Sequence, residues 1–289
     1  MKLPPFNYLA PHTIEEGCCL KNNYGNEASF MAGGTDLLIK LKANRESYKC
    51  VIGLTAIENL DCINEGSGEL KIGALATLNK VADSPLIKKK AGCLSYAAEH
   101  MATNQVRNLG TIGGNLCNAS PSGDIAPPLI VLGAKLKISG VAGTRTIPVE
   151  EFIIGPGKNA LQQDEILTEI QIPSGVSRQN AYYLKFSSRS ARDIAAVGVA
   201  VSLTFDDSNC CQDSRIALGA VASTPIRAHK AEDVVIGQII SEALAIEAGK
   251  QAGLCCKPIS DIRASAEYRK HMVAILVKRA LLKLWKELN

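Results

Sequence analysis

The sequence predicts an α+β chain in two parts, a longer amino-terminal part of mixed strands and helices and a carboxyl-terminal part of strands followed by helices. Three observations carry that expectation. A strand-like Ser29-Phe30-Met31 runs into Ala32-Gly33-Gly34-Thr35-Asp36 and then a helical Leu37-Leu38-Ile39-Lys40-Leu41-Lys42. A second double-glycine stretch, Thr111-Ile112-Gly113-Gly114-Asn115, lies in the polar segment 109–128. From residue 181 onward three apolar runs, spaced as a meander, give way to two long helical patterns.

The bulk numbers agree with a globular chain. Of 289 residues, 46% are hydrophobic and 21% charged, enough for a sizeable core in one large domain or two to three smaller ones. A net charge of +4 with interspersed signs is too weak to imply nucleic acid, and Lys88-Lys89-Lys90, the one basic run, reads as a solvated helix face. Met1-Lys2 leads into Pro4 and Pro5 rather than an apolar signal core, and no apolar run approaches membrane-spanning length. The ten cysteines include three adjacent pairs but no C-x-x-C and no Cys/His cluster. They read as reduced, mostly buried thiols of a cytoplasmic protein with no metal site of its own.

Along the chain, 13–22 reads as a helix with Thr13 as N-cap and Glu16 completing a capping box. Strands are expected at 49–54 and 70–73, a helical pattern from Thr77, and one longer helix over 85–101 that ends in a cap-like His100. After 109–128, the run 125–133 reads as a helix entered through Pro127-Pro128, and 134–139 as a strand before a hairpin turn at 142–145. Gly155-Pro156-Gly157-Lys158-Asn159-Ala160 fits G-x-G-x-x-A, but Asp164-Glu165 come too early and 166–173 reads as a strand, so a Rossmann site is rejected. Residues 173–177 are the best linker. Beyond it come strands at 181–186, 195–205 and 215–221, then helical patterns over 228–252 and 263–288.

Each double-glycine stretch has two readings. Strand, glycine pair, Thr or Asp, then helix directs unpaired N–H groups at a phosphate, and equally describes a plain capped turn. Between two of the carboxyl strands, Lys185-Phe186-Ser187-Ser188-Arg189-Ser190-Ala191-Arg192-Asp193 is either a solvated hairpin or a turn presenting Lys185 to a ligand.

The two glycine stretches, the G-P-G-K segment ahead of Asp164-Glu165-Ile166-Leu167, and the K-F-S-S-R-x-x-R-D-I run occur in this order. In this combination the chain closely resembles the flavoprotein subunits of the molybdenum hydroxylases, over its whole length, and among them the bacterial xanthine dehydrogenase type. The resemblance implies a PCMH-type FAD-binding region over 1–176, in subdomains of about 1–55 and 56–176. It implies a carboxyl-terminal domain over 177–289, with a three-stranded antiparallel sheet and helices. One FAD would be gripped along its pyrophosphate and ribityl chain by Ala32, Gly33, Gly34, Thr35 and Asp36, with Leu37, Leu38 and Ile39 following. Thr111, Ile112, Gly113, Gly114 and Asn115 would form the other half of the grip. Asp124 matches a family position that binds FAD, Ile166 or Leu167 would pack near its rings, and Lys185 would sit at the isoalloxazine edge as the catalytic group.

By the same resemblance, electrons reach this FAD from 2Fe-2S clusters of a small iron–sulfur subunit and leave to NAD. A molybdopterin-binding large subunit oxidises the substrate, expected to be a purine such as xanthine. Nicotinate, an aldehyde or an aromatic acyl thioester are the alternatives, as is a stand-alone FAD oxidoreductase. No nucleic acid and no membrane is expected as partner. Arg189 and Arg192 are left between a place near NAD and a solvated turn.

Overall fold

The computed structural model describes residues 3–173, 180–190 and 192–287. Most of the linker expected at 173–177, and with it the boundary at 176/177, lies outside them.

Thr13 starts the first helix, Ile14–Tyr24, by accepting from the Glu16 N–H at 3.1 Å, while the Glu16 carboxylate reaches back to the His12 N–H. The helix covers a three-stranded parallel sheet, ordered Asn7–Leu9, Cys50–Gly53, Ala28–Met31. Cys50–Gly53 is buried at every position because it is the central strand, which is why it reads as an unbroken apolar run.

The second sheet is antiparallel, with Ile63–Gly66, Glu69–Gly73, Ile166–Ile172, Lys135–Gly140 and Gly143–Pro148 side by side. Short helices pack on it around Leu70, Ile72, Leu94, Ile112, Leu129 and Phe152. The helix expected over 85–101 is two, Pro85–Lys90 and Gly92–Glu99, because Ala91 leaves helical geometry at φ −150°, ψ 51° between them. His100 caps the second, its Nδ1 at 2.9 Å from the Tyr96 carbonyl. A further helix, Asn104–Leu109, had no counterpart in the sequence reading; Thr103 caps it through the Val106 N–H. The G-P-G-K segment is a two-stranded hairpin, Ile153–Gly155 with Lys158–Asn159, and no helix follows it.

The carboxyl-terminal sheet has four strands where three were expected, in the order Ala181–Phe186, Val197–Phe205, Cys211–Gly219, Ile226–Arg227. The fourth is two residues long, too short to leave a periodic signature. The pattern over 228–252 is broken into His229–Val235 and Glu242–Cys255, and the last helix runs Ala266–Lys286.

The two faces of this sheet divide its residues by the period of two. Val197, Val199, Val201, Ile216 and Leu218 face the long helices. Tyr183, Ala200 and Ala217, in register across three strands, join the amino-terminal core beside Leu129 and Ile130 of the Ala126–Val131 helix. Gly198 allows this packing: a Cβ there would stand 2.8 Å from the Tyr183 hydroxyl. Lys185, two residues on from Tyr183, shares its face.

Candidate functional site

The two glycine stretches meet. A Cβ on Gly33 would overlap the Leu109 carbonyl oxygen, so only glycine lets these backbones approach so closely. Asn118 locks the contact, its Nδ2 donating to Asp36 Oδ1 at 3.1 Å. Between and beside the two stretches lies a cavity of about 720 Å³, within the roughly 300–1,000 Å³ usual for cofactor sites.

The second stretch is a helix start rather than a loop. Thr111 caps the helix Ile112–Asn118, its Oγ1 accepting from the Gly114 N–H at 3.0 Å. The polar look of 109–128 comes from the caps and connections of two short helices, this one and Ala126–Val131. The hairpin after Phe152 buttresses the first: Asn159 Nδ2 donates to the Cys117 carbonyl at 2.8 Å, and the Gly157 N–H to that of Ala119 at 3.0 Å.

Of the expected site residues, Ala32, Gly33, Gly34, Thr35, Asp36 and Leu37 line the cavity, as do Thr111, Gly113, Gly114, Asn115, Asp124, Ile166 and Leu167. The structure brings these together from segments more than 130 residues apart. Four others stand back from it. Ile39 is exposed on the outer side of the Leu37–Lys42 helix, Leu38 lies under Gly34, and Ile112 is sunk in the core. Lys185 is withdrawn behind Asp124.

Lys185 Nζ lies 2.8 Å from Asp124 Oδ2 and 3.1 Å from the His100 carbonyl, with its side chain 4% exposed. The Tyr183 hydroxyl donates to Asp124 Oδ1 at 2.7 Å. Burial raises the Asp124 carboxyl above its ordinary value; the Lys185 charge and the two hydrogen bonds oppose it. Burial and the Asp124 charge hold the Tyr183 phenol well above 10.

Several cavity residues had no individual signal in the sequence. Met101, Ala102 and Val106 form part of the wall, and Asn159, Gln162 and Glu165 another. Glu165 is held by a two-pronged contact with Arg145, at 2.7 Å for each pair, and its Oε2 accepts from the Gln162 N–H. The loop 160–165 and the strand start that follows it could have been suspected from their place just after the hairpin. Cys117 also lines the cavity, its thiol pushed up to about 12 by burial and so unreactive. At the mouth stand Arg192, Asp193 and Ile194, while Arg189 points outward and pairs with Asp193 at 3.1 Å.

The donor set fits a dinucleotide flavin. Among the described residues none accepts from the backbone N–H groups of Gly33, Gly34, Thr35 or Asp36, four successive donors on the cavity wall. Such a run binds anionic oxygens. Leu37, Leu54, Leu75, Leu78, Ile166 and Leu167 add the apolar surface that flat rings require. Neither a group of His, Cys, Asp and Glu able to hold a metal ion nor a helix long and apolar enough to cross a membrane occurs among the described residues.

Comparison with known proteins gives two family matches: the FAD binding domain in molybdopterin dehydrogenase over residues 4–175, and the CO dehydrogenase flavoprotein C-terminal domain over 182–284. The putative xanthine dehydrogenase FAD-binding subunit XdhB of Escherichia coli is 33% identical over 88% of each chain. The nicotine 6-hydroxylase medium subunit of Paenarthrobacter nicotinovorans is 33% identical over 97% of this chain and 98% of its own. Among solved structures, a chain of the carbon monoxide dehydrogenase of Hydrogenophaga pseudoflava superposes with a TM-score of 0.94 at 32% identity, covering 99% of both.

Proposed function

The chain belongs to the FAD-binding medium subunits of the molybdenum hydroxylase family, and from that membership we propose that it holds one FAD between its two glycine stretches and relays electrons from a partner's iron–sulfur clusters to NAD. The observation that carries this reading is the run of four N–H groups, Gly33 to Asp36, that have no acceptor among the described residues and share one cavity with the capped start of the Ile112–Asn118 helix. Bound there, FAD supplies the step between single-electron carriers and a hydride acceptor.

The protein's own groups hold and tune. The N–H groups of 33–36 and the Asn115 side chain bind the pyrophosphate and ribityl chain. Ile166 and Leu167 pack against the rings and exclude water. Asp124 contributes a carboxylate to the wall, and Lys185 and Tyr183 fix its direction and offset its charge. Lys185 thus reaches the cofactor through Asp124. Arg192, at the mouth, is placed to meet a phosphate of the incoming nucleotide. Residues 176 and 177 divide the FAD-binding part from the carboxyl-terminal part, and the subunit works in the cytoplasm beside a molybdopterin-binding large subunit and a small iron–sulfur subunit.

Xanthine is the substrate this reading assigns to the complex, supported by the likeness to the Escherichia coli subunit. A second reading keeps the flavin and changes the substrate to an N-heterocycle such as nicotine, because the Paenarthrobacter medium subunit is equally similar and matched over more of its length. The purified chain should be yellow and release FAD on denaturation. A colourless protein that takes up no FAD on reconstitution overturns the reading. Reduction of the flavin in the co-purified complex by xanthine, or by nicotine, decides between the substrates.

A further inference from the structure

Arg107 is a buried guanidinium, 7% exposed, and among the described residues its partners are an amide and two carbonyls, with no carboxylate. Its Nε donates to Asn79 Oδ1 at 2.9 Å, and its Nη1 to the Met101 and Ala102 carbonyls at 3.0 and 3.1 Å. Lys185 Nζ takes the preceding carbonyl, that of His100, at 3.1 Å. Three successive carbonyls are therefore held by two cations, two of them by Arg107 of the amino-terminal part and one by Lys185 of the carboxyl-terminal sheet.

A trans peptide carries its N–H opposite its C=O. Turning the carbonyls of His100, Met101 and Ala102 toward the two cations turns the N–H groups of Met101, Ala102 and Thr103 the other way. Neither cation lines the cavity, whereas Met101 and Ala102 do. Among the described residues none accepts from these three N–H groups. Ala102 stands at φ 49°, in the left-handed region that favours glycine, two residues after His100 at φ −94°. A turn that carries a left-handed residue can gather successive N–H groups into an anion-binding concavity.

From this arrangement we infer that residues 100–103 form a donor cluster for an electron-rich edge of the flavin ring, and that Arg107 is the positioning residue that holds the cluster open. The inference rests on the reading of the cavity as the FAD site. The ring is favoured over the pyrophosphate because the ammonium that holds the His100 carbonyl also holds Asp124, so a carboxylate shares this wall and repels a phosphate. Cations behind the carbonyls polarise these peptides and strengthen their N–H donors. Fixed donors stabilise a ring that has gained negative charge more than one that has not. Arg107 therefore acts on the redox poise of the cofactor as well as on its retention.

The test uses the full chain with Arg107→Gln and Arg107→Lys, reconstituted with FAD. Affinity is read by flavin fluorescence titration and midpoint potential by equilibration with redox dyes. The expected result for Arg107→Gln is FAD binding weakened by about tenfold, on the scale of one charge-assisted hydrogen bond, with a lowered potential. Arg107→Lys should recover part of both. Wild-type chain that takes up no FAD defeats the reading of the cavity and this inference with it. Wild type that binds FAD with the same affinity and potential as both variants overturns the inference alone. Weakened binding at an unchanged potential also overturns it, since the donors then serve another part of the cofactor. If Arg107→Gln does not fold, Asn79→Ala, which removes the acceptor of Arg107 Nε, enters the same comparison beside Arg107→Lys.

Discussion

Lys185, on the first strand of the carboxyl-terminal sheet, and Asp124, just ahead of the Ala126–Val131 helix, form a buried ion pair that joins the two parts of the molecule, Nζ to Oδ2 at 2.8 Å. Removing the ammonium leaves a buried carboxylate whose remaining side-chain partner among the described residues is the Tyr183 phenol, a loss of about 3–5 kcal/mol. Lys185→Met should lower the urea midpoint accordingly, and Lys185→Met with Asp124→Asn should recover most of it. A double variant as unstable as the single would show that the pair is not the source.

The Tyr183 phenol gives the same junction an alkaline limit. Its folded value is raised well above the ordinary 10, first by burial and then by Asp124. A raised value means that the contribution is fully present below pH 10 and lost as pH rises beyond it. Stability measured by urea unfolding across this range should therefore fall, and Tyr183→Phe should flatten the fall.

Asp261 gives the opposite sign. The Arg263 N–H, then the Arg269 and Arg263 side chains, hold its carboxyl down at about 2, against an ordinary 3.8. A lowered value means stability present above 3.8 and lost as pH falls toward 2. Arg269, whose Nη1 also donates to the Ala196 and Ala220 carbonyls, loses its acidic partner on protonation of Asp261. Acid unfolding followed by circular dichroism should be shallower in Asp261→Asn, which starts from a lower stability at pH 7.

On the cavity wall, Asn115→Ala should weaken FAD binding by about tenfold if the side chain bonds the cofactor, and Gly114→Val should do so by filling space beside Thr111. The flavin-to-protein ratio of the purified variants measures both. Full occupancy in the two would remove this helix start from the site.

Gly33→Ala tests the meeting of the two stretches rather than a ligand contact. The added carbon displaces the Leu109 carbonyl, so both flavin content and thermal stability should drop. A variant that loses flavin at unchanged stability would locate the effect in the cavity alone.

The division into parts and the two glycine stretches were legible because they rest on local chemistry: paired glycines, Thr N-caps and apolar periodicity. Thr13, Thr77 and Thr111 each cap the helix that follows them. What stayed hidden depends on distant partners. The Arg107 side chain has meaning only through carbonyls of the preceding turn, and Lys185 only through Asp124, 61 residues away. The split of the helix at Ala91 and the two-residue strand Ile226–Arg227 were hidden for a different reason. Each is too short to alter a periodic pattern.

The central strand of the second sheet, Ile166–Ile172, is the last of its five to be synthesised, and it pairs with both Glu69–Gly73 and Lys135–Gly140. Until it emerges from the ribosome the sheet is two separate hairpins, and the wall formed by Glu165, Ile166 and Leu167 does not exist. Nearly 100 residues of chain must wait for this closure, which makes it a slow, non-local step. Completion of the cavity is therefore a late event in biogenesis, governed by closure of the sheet rather than by synthesis of the glycine stretches that line it.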